Sequence, residues 1–166
     1  MKSIRNILYS TLLVIAPAVR AELPVKRVIT LNVAKKIAAA AEAEANRRHL
    51  TAVIVVVDDG GYPLLLQRLD NTQVASVEVG IGKARTAAIF RRPSKDFEDQ
   101  VKDGRIAALV LPGATPLQGG VPIILDGKVI GAIGVSGESP KDDEDVAKAG
   151  AAAAAAAIAA EGASRD

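Results

Sequence analysis

The 166-residue sequence contains no cysteine and no tryptophan, one histidine, one methionine and only four other aromatic residues, two tyrosines and two phenylalanines. Each shortage removes a class of chemistry. Without cysteine there is no disulfide, no thiol nucleophile and no zinc–thiolate site. With His49 as the single histidine there is no multi-histidine metal centre. A Ser-His-Asp triad needs a serine on a sharp nucleophile elbow, and none of Ser76, Ser94 or Ser136 lies in a Gly-x-Ser-x-Gly setting. The sequence also lacks a Walker-type phosphate loop.

The first residues carry an address. Lys2 and Arg5 form a basic start, Ile7 to Val19 is an apolar run, and Val19-Arg20-Ala21 offers small or β-branched residues at peptidase-reading positions. This pattern is that of a secretory signal peptide over residues 1–21, cut after Ala21, with a single domain over 22–166 in a periplasmic or secreted protein. The apolar run is short of the roughly 20 residues a membrane span needs, so no stable membrane insertion is expected. Cleavage changes the charge. The full chain has 21 basic and 19 acidic residues; loss of Lys2, Arg5 and Arg20 leaves 18 against 19, a net charge of −1. The basic balance belongs to the leader, so nucleic acid is not an expected partner.

Beyond the leader, Thr30 caps a predicted helix running to about Arg48, with Ala34, Ile37, Ala38, Ala41 and Ala45 on one face. Thr51–Val57 and Tyr62–Leu66 read as strands joined by the turn Asp58-Asp59-Gly60-Gly61. Ser76–Phe90 reads as a helix, with a short helical piece from Ser94 to about Val101. Ile106–Leu111 is a third strand candidate. Val121–Leu125 and Lys128–Val135 form a second hairpin around Asp126-Gly127, whose residues suit a turn with φ > 0 at both central positions. Ser139-Pro140 opens a final helix with Asp142, Asp143, Glu144 and Asp145 in its first turn, where the helix dipole favours them; a cation site is the sharper alternative. Two hairpins and no repeated βαβ unit predict an α+β domain, a mostly antiparallel sheet flanked by helices.

Several residues invite chemistry. Asp58 and Asp59 are either turn residues or a pair of catalytic carboxylates. His49 ends a helix beside Arg47 and Arg48 and is either a solvated helix-end cation or a metal or haem ligand. On the helix 76–90, Val79, Lys83, Thr86 and Phe90 share one line. Lys83 and Thr86 therefore face a ligand anion together, or Lys83 snorkels or bridges to an acidic residue. Gly131-x-x-Gly134-x-x-Gly137 has the spacing of a dinucleotide fingerprint, but the first two glycines lie within the strand and the third precedes a loop with Pro140, which argues against that reading. Glycine inside a strand marks close approach of something else.

Three segments in order, VVVDDGGYPLLLQRLD (55–70), GKARTAAIFRRPS (82–94) and GGVPIILDGKVIGAIGVSGESPKDDEDVA (119–147), make the chain resemble the GlcG/HbpS family, also called the haem-degrading domain family. The resemblance runs from about Thr30 to the C-terminus. It implies a profilin-like or PAS-like antiparallel sheet flanked by helices, assembly into homo-oligomers, and, for exported members, haem binding or haem handling. On that reading haem, or another small flat ligand, is the partner, and Gly131 and Gly134 strip a strand so that a helix, a second subunit or the flat ligand can approach. His49 is the leading iron ligand, with Tyr62 or a lysine behind it, and Lys83 is a candidate partner for a propionate. The rival expectations are an enzyme or accessory factor acting on a small organic acid or aldehyde held by Lys83, and a structural oligomer without a ligand of its own.

Overall fold

The computed structural model describes Leu23 and residues 25–163. The expected leader, 1–21, lies outside the described residues. Helix α1 (Leu31–Arg47) starts where the Thr30 hydroxyl accepts from the Val33 amide at 3.2 Å. It ends in a Schellman motif. The Leu50 amide donates back to the Ala45 carbonyl at 2.9 Å and the His49 amide to Asn46 at 3.1 Å, while His49 takes the left-handed conformation at φ 59°. Strands β1 (Val53–Asp58) and β2 (Pro63–Arg68) follow, then α2 (Ser76–Ile89), α3 (Lys95–Lys102), a 3-10 turn (Ile106–Val110), the hairpin β3 (Gly120–Leu125) and β4 (Lys128–Ser136), and α4 (Pro140–Gly162).

The four strands form one sheet in the order β2-β1-β4-β3, every neighbouring pair antiparallel. The result is the expected α+β fold. The central strand β1 is buried on both faces, which is why it reads VIVVV without polar alternation. Ile54 and Val56 face one layer, made by α1 and α4; Val53, Val55 and Val57 face the other, where α2 lies. Asp126 (φ 50°) and Gly127 (φ 73°) make the expected hairpin turn. In the first hairpin the Asp58 carboxylate accepts from the Gly60 and Tyr62 amides, both at 2.9 Å, so it acts as a turn residue.

One expected element is different. Residues 106–110 form the 3-10 turn, and the Ile106–Leu111 strand does not exist. The preceding Gly104, at φ 92°, turns the chain back, and hydrogen bonds close locally, from Ala108 to Arg105 and from Ile106 to Gly104. The run IAALV carries its large apolar residues at i, i+3 and i+4, a helical spacing that a strand reading overlooks.

The glycines of β4 explain how the layers meet. Gly134 lies on the α2 face opposite Val55, and a Cβ there would stand 2.5 Å from the Ala84 backbone nitrogen. Gly131 lies on the opposite face, where a Cβ would stand 2.5 Å from Ile29 Cδ1. Helix α2 therefore sits against one glycine and the N-terminal segment against the other.

Candidate functional site

Most motif residues converge on one buried knot. Lys83, on the sheet-facing side of α2, is 3% exposed. Its ammonium donates to Asp143 at 2.7 Å and to the Val135 carbonyl at 3.1 Å. Asp143 lies in the first turn of α4, so the pair pins α2 to α4 across the end of β4. Ser94 accepts from the Gly120 amide at 2.8 Å and donates to the Leu117 carbonyl at 2.6 Å. Thr86 donates to the Gly82 carbonyl at 2.8 Å and accepts from the Thr115 amide at 2.7 Å. Gly119, at φ 125°, needs to be glycine twice over, since a Cβ would also stand 3.0 Å from the Lys83 nitrogen. Burial pushes the Asp143 carboxyl above its ordinary range, while the hydrogen bond from Lys83 pulls it down. The knot is closed and internally satisfied. Its chemistry is that of a clamp: the Lys83 charge is already neutralised by an acidic residue, the bridging alternative read from the sequence.

The acids around Asp143 are committed as well. Arg48 joins Asp142 at 3.3 Å and Asp145 at 3.1 Å, and Lys148 pairs with Glu144 at 3.0 Å. No cluster of metal-ligating side chains occurs among the described residues.

The structure does not bring the other candidates together. His49 precedes the start of β1 and Tyr62 follows its end, so the two lie at opposite ends of the sheet. His49 is exposed, and its surroundings are charged: Arg47 and Arg48 both bond to Glu44. Gly134 is covered by α2 and Gly131 by Ile29 and the Val57 carbonyl, so neither offers bare backbone to a ligand.

Tyr62 has a different setting. Helix α2 packs over β1, β4 and β3. The α2-side face of the edge strand β2, made by Pro63, Leu66 and Arg68, stays open: these residues oppose Val57, Val55 and Val53, and Leu66 is 41% exposed. Tyr62, 65% exposed, stands at the end of this shelf. The Arg85 guanidinium from α2 lies 5.9 Å from its ring centroid, and Ile81 is one turn back on the same helical stripe. The shelf thus combines two apolar floor residues, Pro63 and Leu66, with a phenol and two cations, Arg68 at the far end of the strand and Arg85 from α2. Sequence reading singled out Tyr62 but missed Leu66 and Arg85, because their exposure depends on where α2 comes down on the sheet.

Comparison with known proteins agrees with this architecture. A family model described as haem degrading protein HbpS-like matches residues 29–152. Protein GlcG of Escherichia coli (strain K12) is 41% identical over 111 residues, covering 67% of this chain and 83% of that protein. The crystal structure of Klebsiella pneumoniae protein ORFY superposes with a TM-score of 0.75 at 32% identity, over 81% of this chain and 95% of that one. A crystal structure of a PduOC:heme complex superposes with a TM-score of 0.69 at 25% identity, over 76% and 95% of the two chains. Matched over most of its length in both sequence and sheet architecture, the chain belongs to the HbpS-like family.

Proposed function

We propose that this chain is an exported, homo-oligomeric haem-binding protein that holds haem on the Tyr62 shelf. The observation that carries the reading is the open α2-side face of β2, where Pro63 and Leu66 meet an exposed phenol, with Arg85 on one side and Arg68 at the far end. Haem is a flat apolar ring with two carboxylates and an iron that accepts His, Cys, Met or Tyr ligands. Cysteine is absent and Met1 belongs to the expected leader, which leaves His49 and Tyr62 as conventional ligands. Tyr62 has apolar neighbours to receive the ring and Arg85 to meet a propionate; the arginines beside His49 are already paired with Glu44. The family description and the PduOC:heme relative support the same ligand. Bound haem supplies redox and oxygen chemistry; the residues here would bind and orient it.

A shelf shields one side of a flat ligand, so a second copy is the natural cover for the other. Exposed Ile106, Leu109, Val110 and Leu117 supply further apolar surface for assembly. Light scattering at micromolar concentration should give a mass above the monomer. Titrating haemin into wild type, Tyr62→Phe, Arg85→Gln and His49→Ala tests the site. A saturable Soret change is expected in wild type. Tyr62→Phe should move the maximum, Arg85→Gln should weaken binding about tenfold without moving it, and His49→Ala should do neither. Absence of a saturable change in wild type would remove the haem reading.

A further inference from the structure

A second site lies at the same end of the sheet on the other side. Both hairpin turns, 59–62 and 126–127, sit at this end because β1 and β4 are antiparallel with Asp58 opposite Gly131. The segment before α1 crosses between them. Ile29, 5% exposed, fills the space that the missing side chain of Gly131 leaves, and this anchors the segment. Upstream, Lys26 pairs with Asp59 of the first turn at 2.7 Å, and Arg27 with Asp126 of the second at 3.7 Å. The segment is thus a strap tied to each hairpin, and beneath it lies a cleft of about 340 Å³ with Leu125, Val129 and Ile130 in its wall.

Among the described residues of the lining the charges do not cancel. Two carboxylates, Asp59 and Asp126, answer Lys26 and Arg27. The third cation in the lining, Lys128, makes no ion pair among the described residues. Among the described residues, a mixed cleft with an apolar stretch of wall and one cation outside any ion pair selects one kind of ligand: a body that leaves water for that stretch and a single negative group for the lysine. The volume is at the low end of the range of about 300–1,000 Å³ for ligand sites, which suits a compact molecule and not a macrocycle.

We propose that the cleft under the strap binds a small organic monoanion, its acidic group on Lys128 and its apolar body against Leu125, Val129 and Ile130. The site is separate from the Tyr62 shelf and stands or falls without it. Hexanoate is a suitable probe, titrated into the full mature chain while backbone amide shifts are followed by NMR, with hexylammonium as the control of equal length and opposite charge. Hexanoate should give saturable shifts clustered over 125–130 and 26–28. Lys128→Gln should weaken this binding about fivefold and Lys128→Arg should restore it, both with an unchanged melting temperature because Lys128 is exposed. Hexylammonium binding as tightly, no saturable shift at these positions in wild type, or Lys128→Gln binding like wild type would each overturn the proposal.

Discussion

Replacing Lys83 by methionine keeps the length and bulk of the side chain and removes its charge. The change strands Asp143, whose side chain is 8% exposed and whose hydrogen bond from Lys83 spans 2.7 Å. Removing one member of a buried ion pair costs about 3–5 kcal/mol, because the other charge stays buried without compensation. That is a large part of the roughly 5–15 kcal/mol that holds a domain folded. At about 2–4 °C per kcal/mol it lowers the melting temperature by roughly 6–20 °C. The pH dependence carries the mechanism. Burial raises the folded-state pKa of Asp143 above its ordinary 3.8. The native protein therefore holds that proton more tightly than the unfolded chain. The contribution of Asp143 to stability falls as pH climbs from 3.8 through the folded value, then levels off. Without Lys83 the folded value moves further up, so the loss extends to higher pH. The penalty of Lys83→Met should be largest near pH 8 and shrink towards pH 4, where a neutral carboxyl needs no ammonium. Urea melts of wild type, Lys83→Met, Asp143→Leu and the double variant across that range measure it. The double variant should recover about 1–3 kcal/mol relative to the summed single losses. A penalty below about 1 kcal/mol at pH 8, or one that stays constant with pH, would refute the account of the knot as a charge clamp.

Gly134→Ala should cost about 3 kcal/mol, because its Cβ meets the Ala84 backbone and α2 must lift from the sheet; Gly127→Ala, with nothing within 4 Å but φ 73°, should cost only about 1 kcal/mol in the same thermal melts. Hydrogen bonds from Arg47 and Arg48 lower the Glu44 pKa from 4.5 to about 2, so the stabilising effect of this cluster should be complete above pH 4.5 and be lost as pH falls towards 2. Acid titrations in 1 M salt should show a smaller loss than in dilute buffer, since the cluster is at the surface. Intact-mass measurement of the exported protein should give a chain starting at Glu22; a retained leader would contradict the proposed export.

The hairpins were legible because their turns are chemically explicit. Asp126-Gly127 needs two positive φ values and Asp58 precedes two glycines, so residue type alone fixes the turns. Helix α1 was legible from its buried stripe, and β1 from an apolar run that only a strand covered on both faces carries. Residues 106–110 were misread because a short apolar run is ambiguous between strand and 3-10 turn until Gly104 fixes its direction. Gly131 and Gly134 are three apart, hence on opposite faces, and could not both line one ligand. The partner of Lys83 was not legible, since Asp143 is 60 residues away and only the packing of α2 and α4 brings them together. The helix line through Lys83 and Thr86 suits a ligand-facing surface or a bridge to an acidic residue by spacing alone, and only the packing of α2 on the sheet, which buries both, decides for the bridge.

Hydrogen exchange of the protein with and without haemin tests the central claim most directly, since it locates the ligand without altering a residue. Slowed exchange over residues 60–68 and 77–85, the two borders of the Tyr62 shelf, is the predicted result. Protection confined to residues 46–50 around His49, or none at saturating haemin, would contradict it.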